Sequence, residues 1–292
     1  MIKIEARAKI NLFLEVTGRR ADGYHDLATL FARIGVADAL SFKRTKTPGI
    51  RLKVKNGPSG LKQEDNIVHK AAVKFFSVFK ISPAVEIGLE KNIPVGAGLG
   101  GGSSDAAAAL LGLAKLYRVP GAAAGKLMKI AAGLGSDVPF FMLDTRAALG
   151  TGRGEKLKEL KLAGRLPSAV LVYPGVPVYT KEVYGSLKLG SPAAIKARVA
   201  DFRVLAGLLG RGKFTKERGA LLFNRLDEPV FPRHKAVRLA KQRLVEFGAD
   251  AVMMSGSGAS VFALCWDKAK DGRVAAAARR IRGYRVFLTK FC

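Results

Sequence analysis

The 292-residue sequence predicts an α+β protein of two domains, and three observations carry that expectation. Runs that alternate apolar and polar residues, as strands do, are interleaved with runs at helical spacing along the whole chain. No internal repeat or low-complexity tract interrupts this pattern. Near residue 100 a glycine-rich stretch joins an apolar, strand-like run to an Ala/Leu-rich helical one, the arrangement of a loop that feeds a helix N-terminus. A chain of this length buries a sizeable core and divides naturally in two. The charged stretch 155–165 is the natural boundary, giving domains 1–160 and 161–292.

Taken in order, residues 2–17 read as a strand, with Ile2, Ile4, Ile10, Leu12, Leu14 and Val16 apolar. Lys9 and Asn11 interrupt this series two residues apart and so share one face. A turn-rich loop follows, and on residues alone Tyr24 and His25 read as a loop tip with one histidine tucked against the surface. The runs 34–44 and 50–55 read as strands around the turn Thr47-Pro48-Gly49. Asp65 can cap a helix over 66–79, where Ile67, Ala71, Lys74, Phe75 and Val78 recur at helical spacing.

The run 85–89 is strand-like and leads through Lys91 and Pro94 into Gly96, Gly98, Gly100, Gly101 and Gly102, then Ser103, Ser104 and Asp105. Consecutive glycines cost backbone entropy, so they are kept where φ is positive or a ligand must approach the backbone. Ser104 or Asp105 can cap a helix over 105–117, whose free N–H groups and positive dipole end then face the loop. That is an anion site, and a phosphate is the expected anion. A plain strand-to-helix connection would account for one or two glycines; it does not account for their density together with a cap and an apolar helix.

Two rival phosphate motifs fail. Gly96, Gly98 and Gly101 fit G-x-G-x-x-G, but no Asp or Glu stands between Asp105 and Asp137 to hold a ribose. The run 207–213 nearly fits a Walker A loop, yet Phe214 occupies the place of the magnesium-binding hydroxyl, so the segment reads as a basic surface turn.

A helix over 122–132 ends at Gly133 and leads into Gly135-Ser-Asp-Val-Pro-Phe140. Asp137 is the lone carboxylate of that small-residue segment; a helix cap and a functional acid both account for it. Residues 150–155 form another turn, and 170–173 a short buried strand turned by Pro174 and Gly175. Helical, basic segments cover 180–209 and 235–247. A second glycine turn, Ser255-Gly-Ser-Gly-Ala-Ser260, feeds a strand over 261–266; a helix over 275–282 and a strand over 285–288 complete the series.

The formal charge of +27 is spread along the chain, without a basic arm, a single basic tract or interleaved aromatics. This disfavours a nucleic-acid partner and suits a surface that draws in anionic ligands. The apolar run 106–114 is too short to span a bilayer, so no membrane partner is expected. Two cysteines and three histidines form neither a disulfide framework nor a metal cluster. With no signal-like run after Met1, the expected compartment is the cytoplasm.

Three separated segments share one resemblance. Ala8-Lys-Ile-Asn-Leu12 with Gly23, Tyr24 and His25 resembles the first motif of the 4-diphosphocytidyl-2-C-methyl-D-erythritol kinases. The segment from Ile93 to Ala106 resembles the ATP loop of that family and of the wider GHMP kinases, and Ser255 to Ser260 their third motif. Gly135 to Phe140, and Asn224 near Leu226 and Asp227, also fit. Arg7 departs from the usual proline before Ala8, which touches strand entry rather than chemistry.

The resemblance implies the two-domain GHMP kinase fold with its active site between the domains. It also implies transfer of the ATP γ-phosphate to the 2-hydroxyl of the cytidine-linked erythritol, in the non-mevalonate route to isoprenoid precursors. It places the loop 96–104 on the phosphates, with Asn66, Lys91 and Pro94 beside the nucleotide. Lys9 and Asp137 fall at the reacting hydroxyl, and Asn11, Tyr24 and His25 on the substrate, one of the two rings stacking on the cytosine. Magnesium is expected to travel mainly on ATP, and the assembly to be a monomer or homodimer.

Overall fold

A computed structural model describes residues 1–292. In chain order its first elements are β1 (Ile2–Arg19), β2 (His25–Arg44), β3 (Gly49–Lys55), α1 (Ile67–Phe79), β4 (Ala84–Glu90) and α2 (Gly101–Leu116). Next come α3 (Ala124–Ala132), α4 (Val138–Met142), β5 (Ala147–Thr151), β6 (Lys156–Glu159), β7 (Ser168–Tyr173), α5 (Thr180–Gly185) and α6 (Pro192–Gly210). The chain ends with β8 (Phe223–Asn224), α7 (Asp227–Val230), α8 (Lys235–Glu246), β9 (Ala251–Met254), β10 (Val261–Cys265), α9 (Lys268–Arg279) and β11 (Arg285–Thr289).

These elements form two compact units that interleave along the sequence. One comprises Met1–Ala8, Val36–Val95 and Gly100–Asp144; the other comprises Lys9–Gly35, Gly96–Leu99 and Thr145–Cys292. The long strands β1 and β2 run through both, and position 160/161 falls inside the second.

In the first unit β3 pairs parallel with β4, Ile50 opposite Val85, and β4 pairs antiparallel with the end of β2, Leu40 opposite Leu89. Helix α2 lies against β2 so closely that a Cβ on Gly112 would stand 2.2 Å from a Phe42 ring carbon. Glycine inside a helix costs about 1 kcal/mol relative to alanine, and here the aromatic ring occupies the space it leaves. In the second unit the start of β2 pairs with β5, β5 with β6, and β1 with β8 in parallel. A separate antiparallel sheet, β11-β7-β10-β9, lies under α8 and α9. Val237, Ala240 and Leu244 from α8 and Val274, Ala275 and Ala278 from α9 meet Val170, Val172, Val261 and Ala263 there, all fully buried.

Several boundaries differ from the sequence expectation. Strand β2 begins at His25, not near Ile34, because residues 28–32 are buried without interruption and show no polar alternation. Helix α1 is capped by Asn66, whose Oδ1 accepts from Val68 N at 2.9 Å, rather than by Asp65. Helix α2 starts at Gly101, with Gly100 in a left-handed conformation (φ 68°) as its N-cap; Ser104 and Asp105 lie inside the helix and cap nothing. Helix α9 starts at Lys268, where Asp267 accepts from Ala269 N.

Candidate active site

In the second unit, candidate site residues gather around β1. Lys9 Nζ donates to Asn11 Oδ1 at 2.7 Å, as their shared strand face requires. Asn11 Nδ2 donates onward to Thr29 Oγ1 at 2.7 Å, and Thr29 donates to the Phe13 carbonyl at 2.8 Å. The chain of bonds is buried and fixes which way the Asn11 amide faces. The Lys9 ammonium also lies 5.4 Å from the centre of the Phe31 ring, within reach of a cation–π attraction.

The second glycine turn closes over this pair. Asn224 holds the turn by donating to the carbonyls of Met254 and Gly256, at 2.9 and 2.8 Å. A Cβ on Gly256 would stand 3.3 Å from both Lys9 Nζ and Asn11 Oδ1, so glycine (φ 55°) is what lets the turn approach them. The same turn grips the front of the first glycine loop. Ser255 Oγ donates to the Gly98 carbonyl at 3.0 Å and Ser260 N to the Ala97 carbonyl at 3.0 Å. Val178 N donates to Gly96 O at 3.1 Å and Lys9 N to Leu99 O at 3.0 Å. With its carbonyls taken by protein donors, the loop is rid of the groups that would repel an anion.

In the first unit, a separate group of candidate residues gathers at the N-terminus of α2. Gly101 and Gly102 form the first turn of α2, where backbone N–H groups have no helical acceptor and the dipole end is positive. Ser103 is partly exposed at this turn, whereas Ser104 is buried and donates to the Arg7 carbonyl at 2.7 Å. Pro94 is buried just ahead of the loop. Beneath the turn lies Lys91, whose Nζ stands 3.5 Å from where a Cβ of Gly101 would be. Its ammonium is held by two buried carboxylates, Asp38 and Asp105, the latter at 2.6 Å. Burial pushes the Asp105 carboxyl up to about 7 against the downward pull of Lys91, with Asp38 adding to the rise.

Asp137 stands at the N-cap position of α4, partly exposed, yet its side chain makes no cap bond. Its loop runs alongside the first turn of α2, since a Cβ on Gly135 would lie 4.0 Å from Ser103 Oγ. Asn66, expected beside the nucleotide, spends its side-chain oxygen on capping α1. Tyr24 is 53% exposed, with the Arg153 guanidinium 4.7 Å from its ring centre. His25 lies 5.2 Å from the Tyr184 ring, tilted by 33°. Burial, then the charge of Arg19, hold His25 below its ordinary range, which favours the neutral imidazole.

Comparison with known proteins bears on which chemistry this arrangement serves. The family model described as GHMP kinases N terminal domain matches residues 66–145, and GHMP kinases C terminal matches 210–284. A 4-diphosphocytidyl-2-C-methyl-D-erythritol kinase of Syntrophus aciditrophicus is 40% identical over 276 residues, covering 93% of both chains. The enzyme of that name from Bacillus cytotoxicus is 37% identical over 273 residues, covering 93% of this chain and 90% of its own. The chain belongs to this kinase family. A crystal structure of 4-(cytidine 5'-diphospho)-2C-methyl-D-erythritol kinase superposes with a TM-score of 0.78 at 35% identity, covering 99% of each chain. No helix is long and apolar enough to cross a membrane.

Beyond the family's motif residues, the structure adds Asp38 and Thr29 as buried partners and Tyr184 beside His25, and it turns Asp105 of the ATP loop from an expected cap into a partner of Lys91. Asp38 stands 53 residues from Lys91, so no local pattern joins them. The spacing of Lys91 and Asp105 across the glycine loop was the one readable hint of that cluster.

Proposed function

We propose that this chain transfers the γ-phosphate of ATP to the 2-hydroxyl of 4-diphosphocytidyl-2-C-methyl-D-erythritol. The observation that supports this most strongly is near-full-length identity with kinases of that name, in a chain whose Lys9–Asn11 pair sits under the Gly256 turn. The first turn of α2 receives the phosphates, and Lys91 braces that turn from below through Asp38 and Asp105 rather than reaching the nucleotide itself. Asn66 and Pro94 shape the neighbourhood of the nucleotide by fixing the start of α1 and the entry of the loop.

Phosphoryl transfer passes through a loose transition state, so placement and charge stabilisation outweigh basicity. Asp137 orients the hydroxyl and accepts its proton late, while Lys9 offsets charge that builds on the phosphoryl oxygens. Asn11 holds Lys9 in line and presents its amide to the substrate. Magnesium would be carried on ATP oxygens, and Ser103, partly exposed in the first turn of α2, is the residue that would share in holding it. When bound, the ion supplies charge neutralisation at the phosphates.

Gly102 tests the loop. It is exposed, and a Cβ there would meet only Ile67 at an ordinary 3.8 Å. Gly102→Val is therefore expected to fold normally while its side chain obstructs the phosphates. Losing one charge-assisted hydrogen bond is worth about 1.5–3 kcal/mol, a weakening of ATP binding of roughly 10- to 150-fold. Unchanged affinity by calorimetry would remove this turn from the phosphate site.

Tyr24 and His25 test the substrate. Stacking of an aromatic ring on a base contributes about 1–3 kcal/mol. Ala substitution of the stacking ring is therefore expected to weaken the cytidine-linked substrate roughly 5- to 150-fold with ATP binding unchanged. Steady-state kinetics of both variants, with the erythritol compound bearing and lacking cytidine diphosphate, decide it. Equal use of both compounds by the wild-type protein, with neither variant impaired, would assign another alcohol.

A further inference from the structure

A second place in the molecule gathers cationic residues around a cavity, and the proposed reaction does not use it. A cavity of about 260 Å³ opens where the start of β7, the end of β10 and the last residues of the chain meet. Arg146, Arg165, Lys268 and Lys290 line it together with Ser168 and Trp266, and no Asp or Glu does. Four cationic residues around one concavity repel one another, an arrangement that a bound anion relieves. Asp250, behind Trp266, is already engaged by Lys216, Lys270 and the Trp266 backbone N–H.

The frame around the cavity is fixed. Arg146 donates to the Leu162 carbonyl at 2.8 Å, and the Trp266 indole N–H to the Phe214 carbonyl at 3.4 Å, with the Phe214 ring 5.4 Å away. The terminal segment is tied down at Lys290, whose carbonyl accepts from Gly35, and at Cys292, which donates to Arg33. Cys265 lies in the same wall, but burial pushes its thiol up to about 11, which leaves it neutral and inert. A cavity of this size suits a small ligand, not an extended polymer, which needs a basic stripe.

We infer that this cavity binds a small molecule carrying a phosphate or diphosphate group, with its body against Trp266. Trp266 is the only tryptophan of the chain, so intrinsic fluorescence reports from this cavity. The experiment is a fluorescence titration of the full-length protein with inorganic pyrophosphate at about 0.15 M salt, where long-range surface attraction is screened. Saturable binding is expected, and Arg165→Gln/Lys290→Gln, both at exposed positions, should weaken it roughly tenfold or more. The control Lys126→Gln/Lys129→Gln removes the same charge from the exposed side of α3 and should leave binding unchanged. Thermal melts confirm that each variant folds. A parallel titration with cytidine diphosphate separates the phosphate group from the body: tighter binding than pyrophosphate supports packing on Trp266, and equal binding would overturn that packing. No saturable change, equal weakening in both double variants, or no weakening in the cavity variant would overturn the assignment.

Discussion

Asp137→Asn is expected to lower turnover by about 10²–10⁴-fold, the usual loss when a positioned acid–base group is removed. The substitution keeps the size of the side chain. It also leaves α4 intact, because the Asp137 side chain makes no cap bond to the helix it precedes. Affinity for ATP and for the cytidine-linked substrate should persist, since the first turn of α2 and the Lys9–Asn11 pair are untouched. Single-turnover kinetics with both substrates saturating isolate the chemical step. Near-normal turnover in that assay would leave Asp137 with no role beyond the fold.

Lys91→Met should have the largest effect on stability. Removing the ammonium strands two carboxylates in the interior, and breaking such a buried pair costs about 3–5 kcal/mol. The two acids are not equivalent. Asp38 still accepts from the backbone N–H groups of Asn92 and Ile93, at 2.5 and 2.8 Å. Asp105 has one buried oxygen with no hydrogen-bond partner even in the intact cluster. Lys91→Met/Asp105→Asn is therefore expected to recover part of the loss. Urea unfolding of the two variants measures this, and a Lys91→Met midpoint equal to wild type would contradict it.

The same cluster gives stability a pH dependence of definite sign. Folded Asp105 titrates at about 7 against an ordinary 3.8, so between these values the folded chain keeps a proton that the unfolded chain has released. Its contribution falls as pH rises through that window and levels off above it. Asp105→Asn should flatten this part of the profile.

What the sequence revealed and what it hid follow from the range of the forces involved. The Lys9–Asn11 contact was legible because two residues apart on a strand is a fixed geometry. The glycine loop was legible from its density, but the start of α2 was misplaced. A left-handed glycine, Gly100, stands at the N-cap where a capping side chain was expected and leaves the first-turn N–H groups uncapped, and composition alone does not distinguish these. The first half of β2 was invisible because a strand buried on both faces loses its alternation. Asp38 with Lys91, and Tyr184 with His25, are pairings across long stretches of chain, and neither leaves a local pattern.

The straps on the carbonyls of Gly96, Ala97 and Gly98 limit how this gene can be cut or recombined. Their donors, Val178, Ser260 and Ser255, are encoded far downstream of the loop they hold. A product ending near residue 160 would expose those oxygens in the segment proposed to receive the phosphates. Exchanging the downstream half for a foreign one would require Asn224 and the 255–260 turn to travel with it. Split-protein pairs divided near residue 160 should therefore regain nucleotide binding only when both pieces are present together.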